Sequence, residues 1–184
     1  MEYYIQFDKA LEKQLKSKFI KRGGSDISHH DFFNDDCKEY EYIPHNIHPT
    51  DRTIAIGDIH GDLNIATTTL MLAKCIKITT KNAPNTIKAG NQFYKWIGKN
   101  TQVVQVGDQI DRCRPNGDII CKYPESTYMD EASDIIIMKF YTELNKLARQ
   151  DGGRVISLLG NHELMNVMGN MQYVSYENIM DFGM

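Results

Sequence analysis

Carboxylates, imidazoles and a guanidinium recur in three short stretches of the chain: Gly57-Asp58-Ile59-His60-Gly61-Asp62, Gly107-Asp108-Gln109-Ile110-Asp111-Arg112 and Gly160-Asn161-His162-Glu163. Asp58 and His60, two positions apart where a predicted strand gives way to a turn, can both face one cation. The two oxygens of Asp108 can bridge that cation to a second, to which Asn161 offers a neutral amide oxygen. Hard oxygen donors with an imidazole suit Mn, Fe, Zn or Mg better than a soft metal. Two such ions roughly 3.5–4 Å apart activate a water and steady in-line attack on a phosphoryl group. Arg112 can clamp the equatorial oxygens with its planar fork, and His162 can protonate the leaving alkoxide if Asp111 fixes its tautomer. Glu163 reads as a structural partner at a helix start.

The elements that must position these residues are legible as runs. Thr53–Ile56, Gln102–Val106 and Arg154–Leu159 are short, rich in β-branched residues and bounded by glycine, as buried strands of a parallel sheet are. In an open α/β sheet, ligands gather beyond the carboxyl ends of the strands. A spacing of roughly fifty residues leaves room for the crossover that parallel neighbours require. Any one motif alone is an ordinary strand-to-helix connection. Three in order point to one site.

The rest of the chain supports this frame. Phe7, Leu11, Leu15 and Phe19 recur every four positions before Gly23-Gly24, predicting an amphipathic helix over Asp8–Lys21. Residues 25–51 form a polar, loop-rich extension with His29, His30, His45 and His48; the last two precede the first strand, roughly 15 Å from the crevice at about 3.3 Å per residue, which argues against them as ligands. The division is thus 1–51, an extension, and 52–184, the domain with the motifs. Leu63, Ala66, Leu70 and Ala73 predict a helix over Leu63–Lys77, and Thr79–Asn100 reads as a loop or small hairpin in which Trp96 packs. Cys113–Met129 is an irregular segment of the kind that borders active sites. Asp130 can cap a helix to about Arg149, with Ile136, Phe140, Leu144 and Leu147 on its buried face. A short helix over Leu164–Gly169 and a last turn from Ser175 to Met180 follow.

Composition bounds the class. With 184 residues, 41% of them hydrophobic and 24% charged, the chain can bury a substantial core. A net charge of -3 gives no global basic field and argues against nucleic acid as a partner. No apolar run approaches the roughly 18 residues of a membrane span, so a soluble, intracellular, cytoplasmic protein is expected. Cys37, Cys75, Cys113 and Cys121 include no CxxC pair, and reduced thiols are expected.

The order GDxHG, GDxxDR, GNHE resembles the phosphoprotein phosphatase family of calcineurin-like metallophosphoesterases. The residues Leu164 to Val174, and Trp96-Ile97-Gly98 leading into Thr101–Asp108, are most similar to its bacterial-like branch, the Shewanella-like phosphatases. The resemblance runs from about Arg52 onward and implies a β-sandwich flanked by helices, of which this chain would hold the first parallel sheet and its helices. It also implies serine/threonine phosphatase activity with two metal ions (Mn, or Fe and Zn). Asp58 and His60 would bind the first metal, Asp108 both and Asn161 the second; Arg112 would hold phosphate, and His162 with Asp111 would act as acid. The substrate would be a phosphorylated protein or a small phosphoester. Cys113 stands where the family usually has glycine. Family members carry further histidine ligands and a second phosphate arginine after GNHE, whereas no histidine follows His162. A homodimer or a missing carboxyl-terminal half would then cover the open sheet face. Two alternatives follow: an inactive relic that binds metal or phosphopeptide, and a nuclease or dinucleotide hydrolase of the same superfamily. Asp111-Arg112 and Glu163 argue against the latter.

Overall fold

The structure, a computed structural model, describes Ile47 and residues 49–183. The helix expected over Asp8–Lys21, and His29, His30, His45 and His48, lie outside the described residues. Every element below belongs to the unit Thr50–Met184.

Three strands form a parallel sheet: β1 (Arg52–Ile56), β5 (Thr101–Gln105) and β6 (Arg154–Ser157), in the order β1-β5-β6. The register pairs Ile56 with Gln105 and Gln105 with Ser157, so all three carboxyl ends finish side by side. Between β1 and β5 lie α1 (Leu63–Leu72) and an antiparallel sheet of β2 (Ile76–Thr79), β3 (Thr86–Ala89) and β4 (Gln92–Trp96), ordered β2-β4-β3. The expected hairpin is therefore β3-β4. Its partner β2 occupies the end of the helix predicted to reach Lys77. The helix stops earlier because Lys74 turns left-handed at φ 53°, and the Cys75 N–H returns to the Leu70 carbonyl at 2.9 Å.

Helix α2 (Asp134–Gln150) crosses from β5 to β6. Ile137, Phe140, Tyr141, Leu144 and Ala148 recur at helical spacing and are buried, while Ile136 and Leu147 are only partly buried beside them. Phe140 meets Tyr94 edge to face at 5.5 Å, and Leu144 and Val103 have no exposed surface. Each such aliphatic or aromatic side chain contributes about 2–3 kcal/mol by leaving water. Trp96 lies in the same core, 3% exposed, as its packing role requires.

The N-cap of α2 is Ser133, not Asp130. The Asp130 carboxylate instead accepts the Glu177 N–H at 2.9 Å, a tertiary bond that local sequence does not disclose. Helices α3 (Asn161–Val167) and α4 (Tyr176–Asp181) complete the unit, with Ser175 at the N-cap of α4. α3 begins within the third motif, earlier than expected.

One expectation is overturned in the irregular segment. Cys113 and Cys121 form a disulfide with Cα atoms 5.8 Å apart. The chain between them doubles back through a bridge of Asn116 with Ile119, bringing together cysteines whose eight-residue separation carries no pairing signal. Cys75 is the free, buried thiol among the described residues. No helix of the described residues is long and apolar enough to cross a membrane.

Candidate active site

The three loops of the site are held together by hydrogen bonds to their backbone groups. At the end of the central strand, buried Gln105 gives its amide N–H groups to the carbonyls of Gly107 (2.6 Å) and Gly57 (3.3 Å), and its Oε1 accepts the Gly107 N–H at 3.0 Å. The first loop then docks on the second: the Ile59 and His60 N–H groups both reach the Asp108 carbonyl at 2.9 Å, and Gly61 N–H reaches that of Gln109 at 2.8 Å. The third loop approaches so closely that a Cβ at Gly107 would strike the backbone of Gly160, and one at Gly160 would strike the carboxylate of Asp108. Only hydrogen fits at both positions.

Glu163 ties the second and third loops. Its buried carboxylate accepts the N–H groups of Asp108 (2.8 Å), Gln109 (2.7 Å) and Gly160 (2.7 Å), which bears out its expected structural role. His60, Asp108 and Asp111 have left-handed backbone at φ 48°, 54° and 70°. This conformation is uncommon outside glycine and gathers where surrounding contacts fix the chain for function.

His60, Asp108 and His162 offer ligand atoms that all lie within 4.8 Å of one another. The Asp108 Oδ1 accepts the His162 backbone N–H at 2.9 Å. His60 Nδ1 lies 3.4 Å from the Ile110 carbonyl, which leaves Nε2 available; the Asp58 Oδ2 is 3.5 Å from that nitrogen. His162 Nδ1 lies 2.9 Å from the Asp111 Oδ2, again leaving Nε2. An imidazole whose second nitrogen meets a carbonyl or carboxylate is the usual form of a metal-ligating histidine, and these N and O donors fit a borderline or hard cation. His60 and His162 also meet edge to face, with centroids 4.8 Å apart, and Tyr173 flanks His162 at 4.9 Å.

The remaining candidates are placed as follows. Asp58 is exposed and touches His60, outside the three-residue group. Asn161 is the exposed first residue of α3, adjacent to His162. Arg112, half-buried, directs Nη1 to Glu131 Oε1 (3.3 Å), Asp62 Oδ2 (3.5 Å) and the Gly61 carbonyl (3.5 Å).

Sequence reasoning passed over several residues that shape this site. Gln105 is one. Asp134 is another: 1% exposed, it accepts the Asp111 N–H at 3.2 Å, and burial pushes its carboxyl up to about 7, opposed by that hydrogen bond and reinforced by the charges of Asp111, Asp130 and Glu163. Asn166 donates to Asp111 Oδ1 at 2.8 Å. Its position four residues after His162, on the same helix face, was the available signal.

A parallel sheet whose strand ends deliver aspartates and histidines from three successive glycine turns is the arrangement that the resemblance to calcineurin-like metallophosphoesterases implies. No family model matches the chain. Shewanella-like protein phosphatase 2 of Arabidopsis thaliana is 27% identical over 148 residues, 80% of this chain and 30% of that protein. Shewanella-like protein phosphatase 1 of Plasmodium berghei is 32% identical over 137 residues, 74% of this chain and 29% of that protein. Among solved structures, the cold-active protein-tyrosine phosphatase of a psychrophilic Shewanella species aligns with 74% of this chain and 33% of its own, at 23% identity and a TM-score of 0.49. Over most of its length the chain is similar to the Shewanella-like branch of the phosphoprotein phosphatases. It spans under a third of the length of either curated relative.

Proposed function

We propose that this unit belongs to a metal-dependent phosphatase that hydrolyses phosphate monoesters, with serine/threonine phosphoproteins as the substrate class. The observation that carries the reading is the convergence of His60, Asp108 and His162 at the ends of parallel strands, with donor atoms within 4.8 Å: His60 and Asp108 would face the ions, and His162, its Nε2 kept for a proton, would face the leaving group. His60 and Asp108, with Asp58 beside them and Asn161 at the start of α3, would hold two divalent or trivalent ions, Mn or an Fe and Zn pair. Such ions supply Lewis acidity toward the phosphoryl oxygens and activate water.

The chain's own residues do the rest. Arg112 receives the phosphate oxygens by exchanging its bonds to Asp62 and Glu131, both partly exposed carboxylates, for the more strongly charged ester. His162 carries a proton on Nε2 to the leaving alkoxide. Asp111, wholly buried against Nδ1, stabilises the imidazolium before that transfer and would hold the orientation after it.

The test is hydrolysis of an aryl phosphate in the presence of Mn²⁺, with metal stoichiometry measured alongside. Binding of two ions and turnover abolished in Asp108→Asn are expected. Tight metal binding by a folded chain with no turnover would instead favour a binding module.

A further inference from the structure

We propose that Asn166 is a positioning residue, holding the Asp111 carboxylate in the plane that fixes which nitrogen of His162 carries the proton. The inference rests on the reading of His162 as proton donor, and it names what orients that donor.

Asp111 has no exposed surface, and each of its polar groups has a partner. Its N–H donates to Asp134 Oδ2 at 3.2 Å, and its carbonyl accepts from Arg114 Nη1 at 2.8 Å. Oδ2 faces His162 Nδ1 at 2.9 Å, and Oδ1 accepts from Asn166 Nδ2 at 2.8 Å. His162 and Asn166 are one helical turn apart on α3, so a single rigid element presents both donors to the two oxygens of one carboxylate. One bond alone would let the carboxylate swing about its contact with the imidazole. Two bonds define its plane.

The chemistry of the amide suits this task. A carboxylate accepts only, so the amide must turn Nδ2 toward it. As a neutral donor it satisfies Oδ1 without competing with the imidazole for charge, as lysine would, or repelling the carboxylate, as aspartate would. The arrangement has a local cost: the Asn166 Oδ1 is buried without a hydrogen-bond partner. An unmade bond of this kind opposes folding, so the residue's contribution lies in the bond that it does make. The rings of His60 and Tyr173 flank the imidazole edge to face and locate it, but edges of rings do not select a tautomer. That selection falls to Asp111, and through it to Asn166.

The experiment is nitrogen NMR of the full chain labelled with ¹⁵N-histidine, kept metal-free with a chelator. His162 is assigned by its loss in His162→Gln, and the wild type is compared with Asn166→Ala and Asn166→Asp. Wild-type His162 should be mainly the Nδ1–H tautomer. Both variants should lose that preference and move toward the Nε2–H form, while His60, whose Nδ1 faces the Ile110 carbonyl, keeps its shifts. An unchanged His162 in either variant overturns the proposal. Equal changes in His60 and His162 also overturn it, by making Asn166 a residue of the general fold. Turnover is not the readout, so a chain without hydrolysis would defeat the phosphatase reading and leave this result standing.

Discussion

Asp134 offers the sharpest test of the electrostatics around the site. Its carboxyl ordinarily titrates near 3.8 and is pushed up to about 7, chiefly because 99% of the residue is withdrawn from water at the start of α2. A raised folded-state value means that the native protein binds this proton more tightly than the unfolded chain does. The associated stability is therefore complete below the unfolded value and disappears as pH rises through 7. Between about pH 5 and about pH 8 the loss amounts to about 3 kcal/mol, from roughly two pKa units at 1.36 kcal/mol each. Asp134→Asn keeps an acceptor for the Asp111 N–H and has no proton to exchange. Urea unfolding followed by circular dichroism at the two pH values should show the wild type losing that stability relative to the variant. Parallel pH dependences for the two proteins would refute the argument that burial governs this carboxyl.

Other expectations concern the scaffold. Glu163→Ala leaves the N–H groups of Asp108, Gln109 and Gly160 without their shared acceptor and should cost about 3 kcal/mol, read from urea midpoints; a cost near zero would show that water replaces it. Gly160→Ala drives a methyl against the Asp108 carboxylate, so Mn²⁺ affinity measured by calorimetry should fall at least tenfold, and unchanged affinity would show that the third loop can retreat. Reducing Cys113–Cys121 reopens a short loop worth about 2.5 kcal/mol of chain entropy, so the melting temperature should drop by about 5–10 °C. Identical melts with and without reductant would contradict that.

The strands and their chemistry-bearing ends were readable because β-branched runs stopping at glycine say where a buried strand ends, and period-four runs say which helix face is buried. The failures share a cause. Ala73 continues the period of α1, yet the chain turns left-handed at Lys74, where the following strand finds a partner in β4. Asp130 has the right chemistry for a cap, and a distant N–H claims it. Gln105 looks like a polar interruption of a strand until the two loops that it joins lie on either side. Local pattern carries what a residue can do within one turn or one pleat. It is silent on bonds between residues fifty positions apart, and this site is built largely from such bonds.

The amide of Gln105 has a further consequence for anyone altering the molecule. Because it grips Gly57 and Gly107 together, the two turns cannot be swapped singly for those of another protein; a transplanted turn arrives without its anchor and drags its neighbour off station. Exchange of one such turn calls for exchange of the pair, with the glutamine carried along.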